Sequence, residues 1–139
     1  MKNTFEACYV GVSVDRPPDE VYAFASNPEN LAKWATGLGE SIKRINGEWV
    51  AEAPIGTVKI RFAEKNDFGV LDHDVILESG EMIHNAMRVV PNDQGSEVIF
   101  ILLRRPDMSD EEYASDFEWV QKDLSILKAL LEGGRNDAG

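Results

Sequence analysis

Apolar positions follow period two near the start of the chain. In residues 5–14, FEACYVGVSV, Cys8, Val10, Val12 and Val14 share one face of a strand. Asp15-Arg16-Pro17-Pro18 ends that strand, because proline cannot continue a ladder. The two prolines also suit the start of a helix. Residues 18–26 place Val21, Phe24 and Ala25 on one helical face, with Asp19 and Glu20 in the first turn, where the helix dipole favours acids. Asn27-Pro28 breaks this helix. A second short one follows over 28–35, with Leu31 and Trp34 three residues apart, and Gly37 and Gly39 stop it.

Period two returns over 41–104, punctuated by turn residues. Strands are predicted over 41–45, 48–53, 57–63, 70–77, 81–90 and 97–103. The turns between them are Asn46-Gly47, Ala53-Pro54-Ile55-Gly56, Asn66-Asp67-Phe68-Gly69, Glu78-Ser79-Gly80 and Pro91-Asn92-Asp93-Gln94-Gly95. Six consecutive strands imply an antiparallel meander. Ser109 and Glu112 then form an S-x-x-E capping box. Behind it, Tyr113, Phe117, Val120, Leu124, Leu127 and Leu131 run at spacings of 4, 3, 4, 3 and 4, one heavy face of a long helix ended by Gly133-Gly134. The expected architecture is α+β. A seven-stranded curved antiparallel sheet wraps around the long C-terminal helix, with two short helices between strands one and two. A sheet curled around one helix leaves a space between them, plugged at one end by the short helices.

Composition narrows what such a space is for. The chain of 139 residues has 43% hydrophobic and 28% charged residues, an ordinary globular balance. It is expected to form one domain over 1–139, with a frayed tail at 135–139. Asp plus Glu number 25 against 14 Lys plus Arg, a net charge of −11. That charge repels phosphate backbones and anionic bilayers, which argues against nucleic acid and membrane partners. No apolar run approaches the roughly 18 residues of a membrane helix. The first five residues lack a signal pattern, so a cytoplasmic location is expected. The single cysteine, Cys8, faces the core on parity and reads as inert packing.

The segment VSVDRPPDEVYAFASNPENLAKW resembles the strand, proline turn, helix and D/N-P-E-x-x-x-x-W stretch of the START-like, polyketide-cyclase-like (SRPBCC) superfamily. The amphipathic last helix after a final apolar strand matches too, so the resemblance spans residues 9–131. It implies the helix-grip fold and a cavity for a hydrophobic small molecule between sheet and helix. Members of that superfamily include lipid and hormone binders, aromatic polyketide cyclases, ring-hydroxylase subunits and chaperone activators, and fold alone does not choose among them.

Strand parity names the residues facing the cavity. Over 70–77 the even positions include Asp72 and Asp74, so Leu71, His73, Val75 and Leu77 turn inward. Over 81–90 the inward set is Ile83, Asn85, Met87 and Val89, leaving His84 outside. The intervening turn brings Val75 and Ile83 together and His73 near Asn85. This pair orients a polar atom of an apolar ligand, or only bonds to itself or to a water. A neutral imidazole also serves as a general base near pH 7. The last strand has two apolar faces; the even set, Val98, Phe100 and Leu102, is taken as inward, which turns Arg104 toward the cavity mouth. Arg104 then meets either a ligand carboxylate or the acids of Asp110-Glu111-Glu112. Trp34, Trp49, Phe62, Phe100, Tyr113 and Phe117 reach the space under the helix as ligand walls or as core. Trp119 sits on another helical face. Asp72-His73-Asp74 is no metal site, since its middle residue faces away from its neighbours. No other metal motif and no cofactor fingerprint occurs.

Three functions stay open: an apolar-ligand binder, a polyketide cyclase or dehydratase type of enzyme with His73 as base, and a protein-interaction module like the chaperone activators. The binder reading uses Trp34, Trp49, Phe62, Leu71, His73, Val75, Asn85, Met87, Phe100, Arg104, Tyr113 and Phe117. No cofactor is expected, and a homodimer is open.

Overall fold

The computed structural model describes residues 3–36, 42–54 and 56–133. Strand β1 (Ala7–Val14) leads through Pro17 into helix α1 (Pro18–Ala25). A 3₁₀ turn (Pro28–Asn30), capped by the Asn27 side chain, runs into the short helix α2 (Leu31–Trp34). Strands β2 (Ile42–Ile45), β3 (Glu48–Ala53), β4 (Gly56–Phe62), β5 (His73–Ile76), β6 (Met82–Asn92) and β7 (Gly95–Leu103) precede the long helix α3 (Asp110–Gly133). The sheet is seven-stranded in the order β1-β7-β6-β5-β4-β3-β2, with every described pairing antiparallel. β2 to β7 form the expected meander, and β1 adds to its far edge beside β7.

Local chemistry sets these elements. Asn46 and Gly47 both take positive φ, 52° and 81°, the type I′ geometry that matches strand twist. The capping box closes at both ends: Ser109 N donates to Glu112 Oε1 at 2.9 Å, and Glu112 N donates to Ser109 Oγ at 3.1 Å. The even face of β7 points inward, with Val98, Phe100 and Leu102 buried. On β1, Val10 and Val14 are buried on the same side.

Two strands differ from the expected ones. The predicted strand 70–77 is interrupted at Asp72, whose carboxylate accepts the Met87 N–H at 2.9 Å. β5 therefore begins at His73, while Gly69 and Leu71 keep separate backbone bonds to Val89 and Met87. At the other end, β6 runs on through Pro91 and Asn92, which pair with Ser96 and Gly95. Proline is tolerated there because it lies at the last rungs beside the hairpin, where one missing donor costs little. The expected stops at Gly37 and Gly39, Ile55 of the Pro54 turn, Gly134 and the tail at 135–139 lie outside the described residues.

The core is built from Val10, Val14, Val21, Ala25, Ile60, Met87, Val98, Leu124, Leu127 and Leu131, among others. Helix α1 packs on β6 and β7, and α3 packs mainly along β1. Polar bonds fix the C-terminal half of α3 there: Lys128 Nζ donates to Ser13 O at 2.7 Å, and Arg16 Nε donates to Leu131 O at 2.9 Å. No helix among the described residues is long and apolar enough to cross a membrane.

Gly69 shows how tightly the β5–β6 region is drawn. Its φ is +72°, and a Cβ there would stand 2.1 Å from Val89 O. Gly80, at φ +93°, has nothing within 4 Å. A Gly69→Ala substitution is expected to destabilise by about 2 kcal/mol or more, and Gly80→Ala by about 1 kcal/mol. Urea denaturation of the two variants checks the order; equal losses would contradict the close approach at Gly69.

Candidate functional site

A cavity of about 700 Å³ lies between the inner face of the sheet and α3. Pockets that take small molecules are typically about 300–1,000 Å³. The sheet contributes His73 and Val75 from β5, Ile83 and Asn85 from β6, and Phe100 and Leu102 from β7. α2 supplies Leu31 and Trp34, with Ala35 just beyond it. α3 supplies Asp116, Trp119, Val120, Asp123 and Leu124. Phe5, Met82, Leu103 and Trp119 line it as well while remaining exposed, so they stand at its mouth. Pro54 and Arg105 complete the wall, and His84 touches its rim while its ring turns to the outer face.

His73 is the polar centre of the sheet wall. It pairs with Asn85 on β6 and with Phe62 on β4. Its ring lies between two aromatic rings, with centroids 5.1 Å from Phe62 and 6.4 Å from Phe100. Nδ1 sits 3.0 Å from Leu71 O. A carbonyl only accepts, so Nδ1 carries the hydrogen. Burial pushes the imidazole pKa below its ordinary value, outweighing the Leu71 carbonyl and the neighbouring carboxylates of Asp72 and Asp74. The neutral ring therefore holds its proton on Nδ1 and presents Nε2 as an unprotonated base. Among the described residues, no hydrogen bond engages Nε2 and none joins His73 to Asn85.

The helical wall has a different polarity. Trp34 is buried, and its indole N–H has no partner among the described residues. Thr36 ties the end of α2 to α3: its Oγ1 donates to Asp123 Oδ1 at 2.7 Å and accepts from Trp119 Nε1 at 2.9 Å. Burial raises the pKa of both Asp116 and Asp123, partly countered at Asp123 by the Thr36 bonds.

No protein-family model matches the sequence, and no curated protein matches it. Solved structures do match. The solution structure of the Aha1 dimer from Colwellia psychrerythraea is 14% identical, with a TM-score of 0.69 over 91% of this chain and 96% of that one. Ara h 8.0201 is 14% identical, with a TM-score of 0.69 over 92% of this chain and 98% of that one. DynU16, from the dynemicin biosynthetic locus, is 18% identical at a TM-score of 0.69, over 92% of this chain; the chain spans about half of it, 48%.

The chain has the helix-grip fold.

Within that helix-grip cavity, Trp34, His73, Val75, Asn85 and Phe100 are brought together. The other residues singled out from the sequence stand elsewhere. Trp49 is on the inner face of β3, opposite Ile60 and beneath the Arg44 guanidinium, and does not line the space. Phe62 backs the His73 ring from behind. Leu71 and Met87 are fully buried beneath the wall. Arg104 does not turn into the cavity: its guanidinium pairs with Asp110 at 2.7 Å, lies 5.6 Å from the Tyr113 ring and bonds to Met108 O. Tyr113 packs on that side, with its hydroxyl 3.4 Å from Leu102 O, and Phe117 packs against the core. The apolar stripe of α3 presses mainly on the β1 edge; Val120 and Leu124 of it reach the cavity, and the flank beside them supplies the rest of the helical wall. Sequence reasoning missed Asp116, Trp119 and Asp123 for that reason; their i, i+3, i+7 spacing beside the stripe is the signal that marks them. On the outer face His84 meets Asp74 at 2.6 Å, and Arg88 meets Asp72. No cluster of metal-ligating side chains occurs among the described residues.

Because His73 is harder to protonate when folded, its contribution to stability is whole above the ordinary histidine pKa of about 6.5. It is lost as pH falls through the lower folded value, with a slope of at most about 1.4 kcal/mol per pH unit. Between about pH 7 and 5, the protein is expected to lose more stability than a His73→Phe variant. Urea midpoints across that window test it; parallel losses would contradict a buried neutral imidazole.

Proposed function

We propose that the protein binds an apolar small molecule, of lipid, polyketide or aromatic type, in the cavity between sheet and α3. The observation that carries this reading is the unfilled space itself, walled by Val75, Ile83, Phe100, Leu102, Leu31 and Leu124, where a packed core would leave no void of this size. The affinity comes from removing apolar ligand surface from water, about 25 cal/mol per Å². The fold likeness to Ara h 8.0201 and DynU16 agrees with this reading but names no ligand.

One observation favours a second reading, an enzyme of the cyclase or dehydratase type. His73 lines the cavity with Nε2 unengaged among the described residues, and Asn85 stands beside it in register as a candidate orienting amide. A His73→Ala variant that keeps ligand affinity but loses turnover would select this reading.

The binding reading is tested by titrating the protein with phenylnaphthylamine, an apolar dye that brightens out of water. Saturable binding is expected, and Val75→Trp, which fills the space from β5, is expected to weaken it about tenfold or more. Circular dichroism verifies that the variant is folded. A folded variant of unchanged affinity, or no saturable binding to the parent protein, would overturn the proposal.

A further inference from the structure

We infer that the molecule held in this cavity carries an ammonium group, seated at the mouth against Asp116, Trp119 and Asp123 of α3. The inference rests on the cavity-binding reading and adds a charge to its ligand.

The helical wall leads to it. Asp116, Trp119 and Asp123 follow one another at three and four residues on α3, so they share one flank of the helix, and all three line the space. Trp119 is 47% exposed. Its Nε1 donates to Thr36 Oγ1 at 2.9 Å, which holds the indole in place and leaves ring surface open at the mouth. Thr36 in turn donates to Asp123 Oδ1 from its N–H at 3.2 Å and its hydroxyl at 2.7 Å, so that carboxylate is positioned too. Asp116 makes no hydrogen bond or ion pair among the described residues. Burial raises its pKa, a sign that it has lost water without gaining a partner. An aromatic face beside carboxylates is the chemistry that recognises an ammonium group. The ring quadrupole attracts the cation, and the carboxylates supply opposite charge and accept its N–H groups.

The sheet wall points to a ligand independently and suits the same one. His73 lines the cavity with its ring buried and Nε2 unengaged among the described residues. Burial keeps the imidazole neutral, so no positive charge stands there to repel a cation. Around it, Val75, Ile83 and Phe100 take an apolar body. Two other basic groups touch the space. His84 is turned outward onto Asp74, and Arg105 stands close enough to Asp116 to oppose the rise in its pKa. An anionic ligand would meet Arg105 but face two carboxylates. A cationic one meets two carboxylates and faces one guanidinium. The net charge of −11 favours the cation further.

Three tetralins that carry a methyl, an ammonium or a carboxylate group at the same saturated carbon isolate the charge. In calorimetric titrations at neutral pH, the ammonium form is expected to bind about three- to tenfold tighter than the methyl form, and the carboxylate form weakest. In an Asp116→Asn variant, verified as folded by circular dichroism, the methyl form should keep its affinity while the ammonium form weakens about threefold or more. Carbon NMR of the aspartate carboxyls adds a readout in the unsubstituted protein. The Asp116 signal should move when the ammonium form binds and stay when the methyl form does. If the methyl form binds and the ammonium form is no tighter, the inference falls while cavity binding stands. The same holds if the carboxylate form is tightest, which would hand the mouth to Arg105, or if Asp116→Asn keeps the full ammonium gain, or if both forms move the Asp116 signal alike. If none of the three probes binds, both fall.

Discussion

An α-helix with its side chains is about 10 Å across, while seven strands spaced about 4.8 Å apart make a sheet roughly 29 Å wide. One helix cannot cover such a face, and everything else in this molecule follows from how the mismatch is resolved. α3 packs mainly along the β1 edge, where Leu127 and Leu131 are buried, and is fixed there by Lys128 and by the Arg16 bond to Leu131 O. α1 covers part of β6 and β7. The inner face of β5 and the neighbouring ends of β6 and β7 is left uncovered. α2 and the flank of α3 roof it at a distance, and the cavity is the space that remains.

That partial cover also explains the polarity of the walls. Side chains fully inside the packed half are nearly all apolar, and the buried Ser96 gives its hydroxyl to Arg16 O. Those facing the space include His73 and Asn85, with polar atoms that a close-packed core would have had to satisfy. Asp116 and Asp123 stand on the opposite wall, where burial already raises their pKa. Charge otherwise stays outside. Asp72, just before β5, and Asp74 within it turn to the outer face and pair with Arg88 and His84. The net charge of −11 accordingly sits mostly around the apolar interior.

Period-two alternation and short hairpins made the sheet wall legible in the sequence. A turn of known length fixes register, and register fixes parity, so the sequence alone sets His73 opposite Asn85, as the sheet has them. The capping box fixed the start of α3 in the same way. What the pattern does not encode is distance across the sheet or the rotation of a helix above it. Trp49 has the right parity and still stands outside the cavity, under the Arg44 guanidinium. Tyr113 and Phe117 lie on the apolar stripe, which packs down, while Asp116, Trp119 and Asp123 beside it look into the space. Arg104 had two partners on offer, and nearby Asp110 takes it. The break at Asp72 was hidden because it depends on a side chain capturing a backbone N–H from another strand.

The central claim is that the uncovered face of the sheet is a binding site. Native mass spectrometry of the protein purified from its own host tests it most directly. A peak heavier than the polypeptide by the mass of one small organic molecule, lost on mild activation and absent from the Val75→Trp variant, is the predicted result. A bare polypeptide mass under conditions that preserve a phenylnaphthylamine complex, with no adduct in any preparation, would contradict it.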